Sequence, residues 1–441
     1  MNEDIFRKIT IGVWLEEDWN PEEGGGYTLN NALVNAIDRH EFSGANFVFL
    51  TTSTKRWNLS KPIIRLAIDM HQEAVSTDRP PARLYRKLVD LFKPLVPRSV
   101  LSIFRRFSRR PPPPPPQTRP WRDRVEEALT GLIRSRAVDV FYFPVWWRVP
   151  NNIDLDSSSV PYVTSYWDLG HVSTYAFPEF SHGNIWNWRE TAVRKIFGKA
   201  LLVFCESHAG LKEVSAYLGI YGSRFTVVPL FIPRPAEECP DVSKAAVVLS
   251  QLGLEPKKYF FYPAQFWSHK NHFGLLRAFR EVLKVGCNVK LVLVGSDKGN
   301  LEYIKSTASM NGLDGSVVFA GFVDDSTITT LYRNALSLVM PSFLGPTNLP
   351  LLEAMEHGCP VICSDFDGHR EMLGQAGIYV DPANHIALAQ AMISLINDRS
   401  RQEAKASIES HREKHTFTAD QAMRALDAAS SRLQGIRSCW E

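Results

Sequence analysis

Short apolar runs alternate along most of the chain with longer segments whose apolar residues recur every three or four positions. Apolar runs separated in this way predict buried parallel strands joined by crossover helices. In the first half of the chain we expect strands at 9–15, 45–50, 138–143, 161–166, 200–205 and 225–229. In the second half we expect strands at 259–263, 289–294, 317–319, 336–340 and 360–363. The pattern therefore predicts an α/β fold with two doubly wound domains.

A proline-rich segment separates the two series of strands. Four prolines fall within residues 229–240, which predicts an interdomain linker. We therefore place one Rossmann-like domain at 1–230 and a second one at 241–415, followed by a final helix at 416–441 that packs back across the domains. Two successive doubly wound domains leave a cleft between them, where the carboxyl ends of both sets of strands face each other.

The composition limits the classes of protein that need to be considered. The 441 residues are 44% hydrophobic, which provides enough apolar area for large cores. The net charge of +3 is too small to indicate nucleic acid binding. The six cysteines show neither a CxxC motif nor zinc spacing, and neither a signal peptide nor a membrane-spanning run is visible. These features predict a cytoplasmic protein with reduced cysteines.

Residues 83–120 differ in composition from the rest of the chain. The slightly wider segment 83–124 has twelve Lys or Arg residues but only two acidic ones, Asp90 and Asp123. Apolar residues alternate with its arginines, and six consecutive prolines at 111–116 predict a stiff, extended spacer. One interpretation is a solvated basic insertion in the N-terminal domain. The other is peripheral contact with an anionic membrane surface, at the inner face of the membrane.

Three consecutive glycines, Gly24, Gly25 and Gly26, follow the first predicted strand and precede a helix predicted at 27–37. Glycine lets the backbone approach a ligand closely. The spacing is not GxGxxG, and no acidic residue ends the following strand, so binding of a nicotinamide dinucleotide is poorly supported. The glycine run predicts either a ligand cradle or a flexible turn.

The loop after the 336–340 strand carries Gly345 and Asn348, and a helix is predicted to open at Pro350. The backbone N–H groups at the start of such a helix form a site for anions. Glu353 lies close to this helix start. Because a carboxylate beside a phosphate is unfavourable, we expect Glu353 to accept hydrogen bonds from sugar hydroxyls. The alternative is that Glu353 only caps its own helix.

Three segments of the second half resemble the retaining glycosyltransferases of family 4. They are FYPAQFWSHKNHFGLLRAF at 261–279, VLVGS at 292–296, and LPLLEAMEHGCPVICSDFDGHREMLGQAGIYVDP at 349–382. The resemblance is close over about 259–382 and weaker at the glycine run and at WDLGH. It implies the GT-B fold, in which two Rossmann-like domains face each other across a cleft.

The resemblance also implies roles for residues of the donor site. Lys270 falls where the family has a lysine that contacts the donor diphosphate, and Gln265 stands where an arginine is usual. Glu353 matches the second glutamate of the family's E-x7-E pattern, which binds the ribose hydroxyls. The first glutamate of that pattern is replaced by Gly345, at the start of the segment GPTNLP. The remaining glycines assigned to the donor site are Gly25, Gly26 and Gly295.

The replacement at Gly345 leaves two interpretations. In one, the backbone amides of the GPTNLP segment, together with Asn348 and Leu349, replace the missing glutamate. In the other, the chain is a relative without catalytic activity that binds a nucleotide sugar or acts as a scaffold.

The predicted loop after the 161–166 strand reads WDLGH. The family often has a His-Asp pair here; Asp168 keeps its place, whereas Trp167 stands where the histidine would be. His171 is expected either to enter the cleft in its stead or to be a packing residue. The resemblance implies that Asp168 and His171 position the substrates, because the leaving phosphate can accept the acceptor's proton. Further along, Glu206 and Ser207 follow a predicted strand and either touch a substrate or, for Ser207, cap a helix.

No cofactor is expected. His269 and His272 lack acidic partners in the sequence, and the N-terminal domain has no Asp-x-Asp pair at a strand end, so we expect transfer without a metal. The sequence predicts a retaining glycosyltransferase that moves a sugar from a nucleoside diphosphate sugar to a hydroxyl of a glycan or lipid-linked acceptor, in cell-surface polysaccharide assembly. The alternative is a non-catalytic GT-B protein that binds nucleotide sugars or serves as a scaffold.

Overall fold

The computed structural model describes residues 7–15, 24–66, 119–148, 160–233, 242–415 and 417–439. The basic insertion predicted at 83–120 lies outside these ranges except for its last two residues, as does most of the predicted linker.

The N-terminal domain is built on a parallel sheet of seven strands. These are β1 (Ile9–Trp14), β2 (Ala45–Thr51), β3 (Ile63–Arg65), β4 (Val140–Phe143), β5 (Tyr162–Tyr166), β6 (Val203–Cys205) and β7 (Phe225–Val227). Their order in the sheet is β3-β2-β1-β4-β5-β6-β7, and all neighbours are parallel. The order changes direction between β1 and β4, and a crevice forms where the loops diverge from such a point.

Helices connect these strands and cover both faces of the sheet. They are α1 (Gly25–Arg39), α2 (Arg119–Arg134), α3 (Gly170–Ser173), α4 (Pro178–Ser181), α5 (Ile185–Lys199) and α6 (His208–Leu218), with a 3-10 turn at Trp146–Arg148. Helix α6 shows how local sequence sets the bounds. The Ser207 side chain accepts a hydrogen bond from the Gly210 N–H and caps the start, and Gly219, at φ 65°, ends the helix in the left-handed conformation.

The C-terminal domain repeats this architecture with six strands. These are β8 (Tyr259–Pro263), β9 (Lys290–Val294), β10 (Val317–Gly321), β11 (Ser337–Met340), β12 (Val361–Ser364) and β13 (Gly377–Val380). Their order is β10-β9-β8-β11-β12-β13, again with parallel neighbours throughout. The direction changes between β8 and β11. The central strands are buried on both faces, which explains why their sequences are mostly apolar.

Helices also connect the strands of the second half and follow its last strand. They are α7 (Val242–Gln251), α8 (His272–Lys284), α9 (Leu301–Met310), α10 (Asp325–Asn334), α11 (Leu349–Glu356), α12 (Asp367–Leu373), α13 (His385–Ile396), α14 (Asp398–Lys414) and α15 (Ala419–Arg437), with a 3-10 turn at Ser268–Lys270. Among these helices, side chains that cap the first turn include those of Asn271, Asp324, Asn384 and Thr418.

The predicted α/β fold is confirmed, and every strand that the apolar pattern predicted is present. The prediction omitted β3 and β13, which are short strands at the two sheet edges. Edge strands of three or four residues carry little apolar pattern, so they resemble loop sequence.

The last helix, α15, returns to the N-terminal domain. Its apolar face, including Met423 and Leu426, joins the core formed by β1, β2 and α1. Polar contacts fix the register: the Asp427 carboxylate accepts hydrogen bonds from the backbone N–H groups of Ser43 (3.1 Å) and Gly44 (2.8 Å). The chain therefore enters the C-terminal domain and comes back to complete the first one.

Within the described ranges, none of the helices has the combination of length and apolar character needed to cross a bilayer.

The contact between α15 and Gly44 gives a first test. A Cβ at position 44 would lie 2.3 Å from Ser431 Oγ and 2.6 Å from the Ser431 backbone nitrogen. We expect Gly44→Ala to lower the free energy of unfolding by about 1–3 kcal/mol, because α15 must shift. Denaturant titration measures the change. Gly435→Ala, where a Cβ meets no atom within 4 Å, is the matched control. Equal stability of the two variants would contradict the packing of α15 on Gly44.

Candidate active site

A cleft of about 970 Å³ separates the two sheets. Its walls are formed by segments that directly follow strands of both domains, as expected at facing switch points. From the N-terminal domain these segments are the glycine run after β1, Trp167 and Asp168 after β5, and Glu206 after β6. From the C-terminal domain they are Gln265 and Lys270 after β8, Gly295 after β9, and the loop after β11.

The loop after β11 contains the GPTNLP segment, residues 345–350, and has little freedom to change its shape. Gly345 has φ 138°, and a Cβ there would lie 2.1 Å from Asn348 Nδ2. On the other side of the loop, a Cβ at Gly368 would lie 1.4 Å from the carbonyl oxygen of Pro346. Two glycines therefore permit this path of the backbone, and a glutamate at position 345 has no room in it.

The Asn348 side chain is held by a buried histidine. The Ser364 carbonyl can only accept, so His369 Nδ1 carries the proton and donates at 2.7 Å. His369 Nε2 then accepts from Asn348 Nδ2 at 3.0 Å. Burial lowers the pKa of His369 to about 4, which keeps the ring neutral. Asn348 Oδ1 is consequently directed at Lys270, whose Nζ lies 3.4 Å away.

Lys270 ends the 3-10 turn that precedes α8, and its neighbour Asn271 fixes this turn. Asn271 adopts φ 59°, and its Nδ2 donates to the carbonyls of Pro341 (3.0 Å) and Pro382 (2.8 Å). Tyr262 adds a hydrogen bond from its hydroxyl to the Lys270 carbonyl at 3.0 Å. Burial lowers the pKa of Lys270 to about 8, while the negative charges of Asp168 and Glu179 act in the opposite direction. The ammonium group is thus a desolvated point cation inside the cleft.

Glu353 lies in the second turn of α11, because the helix begins at Leu349 and not at Pro350 as the sequence predicted. The Tyr332 hydroxyl donates to Glu353 Oε2 at 2.9 Å. Both side chains line the cleft, as do Asn348 and Leu349 at the helix start. A carboxylate therefore stands one helical turn behind the N–H groups that favour an anion.

Gln265 forms the part of the cleft wall between the ends of β8 and β9. Its Oε1 accepts from Trp267 Nε1 at 3.1 Å, and its Nε2 donates to Ser296 Oγ at 3.2 Å. The glycine run of the other domain approaches it closely, since a Cβ at Gly24 would lie 2.9 Å from Gln265 Cδ. Gly25 and Gly26 also line the cleft. At Gly295, with φ 153°, a Cβ would lie 2.3 Å from the Ala264 carbonyl oxygen.

Asp168 lines the cleft from the N-terminal domain. Its Oδ1 accepts from Arg189 at 2.5 Å and from the Gly170 N–H at 2.7 Å. The ion pair and the backbone bond hold the carboxylate in one orientation. Arg189 lines the cleft too, although it lies on α5 and follows no strand.

His171 is not among the residues that line the cleft, so the expectation that it enters the cleft is corrected. The short helix α3 turns its side chain inward, where it is 0% exposed. His171 Nε2 lies 3.3 Å from Glu190 Oε2, and the ring packs against Trp186 and Tyr217. Burial lowers the pKa of His171, which disfavours the charged form of the ring. The packing alternative describes this histidine.

The structure also shows where two other residues considered in the sequence analysis lie. Ser207 caps α6, as the second of its two interpretations had it. His272 is buried against Phe266, with the ring centroids 4.5 Å apart. Among the described residues, no group of three or more His, Cys, Asp or Glu side chains is arranged to hold a metal ion.

Three contacts between the domains were not predicted from the sequence. Glu179 on α4 accepts hydrogen bonds from the His269 N–H (2.8 Å) and lies 2.6 Å from His269 Nδ1. Glu371 on α12 accepts from the N–H groups of His208 and Ala209, both at 2.8 Å, at the start of α6. The Thr347 hydroxyl donates to Glu206 Oε2.

These side chains carry different amounts of sequence signal. Glu206 directly follows a predicted strand, which is where ligand contacts occur in such sheets. Glu179 and Arg189 lie on helices beyond the loop, and nothing in their local sequence indicates that the chain folds back to the cleft. Thr347 lies within the GPTNLP segment, but the sequence does not distinguish it from its neighbours as a residue that contacts the other domain.

Comparisons with known proteins agree with this geometry. Residues 249–414 match the family model described as "Glycosyl transferases group 1". The chain is 26% identical over 247 residues to O-antigen chain mannosyltransferase B of Escherichia coli, a match that covers 55% of this chain and 62% of the mannosyltransferase. The match thus spans less than two thirds of that relative. The sequence similarity of this chain is therefore to part of a glycosyltransferase.

Two solved structures share the whole architecture. Sucrose-phosphate synthase from Thermosynechococcus elongatus superposes with a TM-score of 0.65 at 18% identity, covering 98% of this chain and 100% of the other. Anabaena HepE, solved in complex with UDP and glucose, superposes with a TM-score of 0.63 at 16% identity, covering 96% and 100%. The predicted GT-B fold of two facing Rossmann-like domains is therefore confirmed.

Proposed function

We propose that this protein is a retaining glycosyltransferase. It transfers a sugar from a nucleoside diphosphate sugar to a hydroxyl of a glycan or lipid-linked acceptor, in the assembly of cell-surface polysaccharide. The group 1 match over 249–414 and the similarity to an O-antigen mannosyltransferase support this assignment.

One observation carries the proposal: Lys270, which contacts Asn348 at the start of α11, and Glu353, in the second turn of that helix, line the same cleft. A donor diphosphate fits between the Lys270 ammonium and the N–H groups of this helix start, because both favour negative charge. The Glu353 carboxylate, one turn further, then accepts hydrogen bonds from the ribose hydroxyls. The glycine run has no side chains, so the backbone there, like that at Gln265, lies close to the donor.

The proposed reaction breaks the bond between the sugar C1 and the diphosphate oxygen and forms a bond from C1 to the acceptor oxygen on the same face. The proton of the acceptor hydroxyl moves to the departing phosphate oxygen. Lys270 stabilises the negative charge that develops on the leaving diphosphate. Asp168, oriented by Arg189, positions the acceptor from the opposite wall. Closure of the cleft around both substrates excludes water that would hydrolyse the donor. We expect this transfer to need no metal ion.

Substitution of the two donor residues tests the proposal. We expect Glu353→Ala and Lys270→Ala each to reduce turnover by about a hundredfold or more, because each removes a charged contact from the reacting complex. A donor-turnover assay with UDP- and GDP-sugars measures the loss. Lys284→Ala, on the exposed end of α8, is the control. Full activity in both donor-site variants would overturn the site assignment.

The second candidate function is a non-catalytic protein that binds a nucleotide sugar or acts as a scaffold, and Gly345 favours it. The family's glutamate at the reacting centre has no room at this position. The two candidates differ in one measurement: binding of a nucleotide sugar without hydrolysis or transfer, over the same series of donors, supports the non-catalytic function.

The pKa of Lys270 adds a test by pH. Because burial lowers this pKa to about 8, the charged form is complete below that pH and is lost above it. We expect the affinity for UDP-glucose or GDP-mannose, whichever binds, to fall by up to about tenfold per pH unit above about pH 8. Titration calorimetry measures it. Lys270→Gln should bind more weakly and show no such decline; an identical decline in this variant would show that another group titrates.

The basic insertion supports a further part of the proposal, namely peripheral contact of a cytoplasmic enzyme with the inner face of the membrane. Replacing Arg105, Arg106, Arg109 and Arg110 by glutamine removes four charges from its centre. We expect each lost charge to weaken binding to vesicles with anionic lipid by about 1 kcal/mol. Sedimentation with anionic and with purely zwitterionic vesicles measures this. Equal sedimentation of the wild type and the variant would contradict membrane contact.

A further inference from the structure

We propose that Glu206, a carboxylate of the N-terminal domain, replaces the glutamate missing at position 345 and binds hydroxyl groups of the sugar that is transferred. The inference rests on the proposed function, since it assigns a residue to the sugar of the donor. The family pattern has a glutamate at position 345 of the GPTNLP loop, and this chain has a glycine there.

The first step is that position 345 is closed to a carboxylate. The Gly345 backbone has φ 138°, which side chains rarely adopt, and the space next to it is filled by Asn348. Gly368 keeps the loop in place, since its missing side chain leaves room for the Pro346 carbonyl. The loop therefore presents backbone and the short side chains of Thr347 and Asn348 to the cleft.

The second step is that Glu206 reaches this loop from the opposite domain. It directly follows β6, its side chain lines the cleft, and the Thr347 hydroxyl donates to its Oε2. No donor in the described part of the chain bonds its other oxygen, Oε1. One carboxylate oxygen is thus held against the loop, and the other remains for a ligand.

The third step is that Thr347 lies next to the residue of the loop that contacts Lys270. Asn348 contacts Lys270, the proposed diphosphate residue, and Thr347 is its immediate neighbour. Thr347 therefore holds Glu206 next to the residue that contacts Lys270. The transferred sugar is bonded directly to the diphosphate, and for this reason we assign Glu206 to that sugar and not to the nucleoside. Glu353 serves the nucleoside side of the same loop.

The chemistry of the carboxyl agrees with this position. Burial raises the pKa of Glu206 to about 7, with the charge of Asp168 acting in the same direction and the Thr347 hydrogen bond acting against it. The group has lost water without gaining enough donors to replace it. Sugar hydroxyls are donors, and hydrogen bonds to a carboxylate are stronger than those between neutral groups.

The competing explanation is that Glu206 only joins the domains through Thr347. Two variants separate the explanations: Glu206→Gln keeps the shape and removes the charge, and Thr347→Val removes the hydroxyl but leaves the carboxylate. Thermal unfolding of both variants checks that they fold. The probes are UDP with UDP-glucose and GDP with GDP-mannose, and calorimetry gives the ratio of the two affinities within each pair.

We expect Glu206→Gln to bind the free nucleotide as the wild type does and to bind the sugar nucleotide about ten- to a hundredfold more weakly. Thr347→Val should change this ratio by less than about threefold. In turnover, a donor analogue that lacks the contacted hydroxyl should be impaired with the wild type and no further impaired with Glu206→Gln.

An unchanged ratio in Glu206→Gln would overturn the inference, as would an equal loss for nucleotide and sugar nucleotide in both variants, which indicates a contact between domains only. Those results leave the proposed function standing, since the wild type still binds the donor. If the wild type binds none of the four probes, the proposed function fails, and the inference fails with it.

Discussion

The side chain of Asn271 connects the parts of the C-terminal domain on which the cleft depends. Through two hydrogen bonds it holds the chain after β8 to the carbonyls that follow β11 and β13. The left-handed conformation of this residue allows the 3-10 turn to end and α8 to begin at one position. Lys270 and the GPTNLP loop are consequently fixed relative to each other before any ligand arrives, which is the preorganisation that charge stabilisation requires.

Carboxylates from both domains accept hydrogen bonds from the other domain, namely from a histidine N–H, from a hydroxyl and from the N–H groups at the start of a helix. Burial shifts the pKa of Lys270 downward and that of Glu206 upward, and in both cases it favours the neutral form. Such a desolvated cleft strengthens interactions with a charged ligand, because little water competes for the same groups.

The sequence predicted the parts of this protein that are encoded locally. Lys270 and Glu353 follow buried strands in a recognisable motif, and both lie in the cleft. The sequence could not decide between the two alternatives for His171, because this residue lies in a four-residue helix, α3, and no periodicity reveals so short an element. Glu179 and Arg189 could not be predicted to meet the cleft, since their position depends on how α4 and α5 fold over the N-terminal sheet. Contacts between domains depend on how the two folded units are placed relative to each other. No local sequence pattern predicts this placement.

The return of α15 to the first domain constrains how the two halves of the protein can move. The chain crosses between the domains twice, and the Ile232 N–H donates to the Phe417 carbonyl at 3.0 Å, so the two crossings are joined. Two joined crossings act as a hinge with a defined axis, whereas a single crossing would act as a swivel. We therefore expect any opening of the cleft to be a rotation about these two crossings.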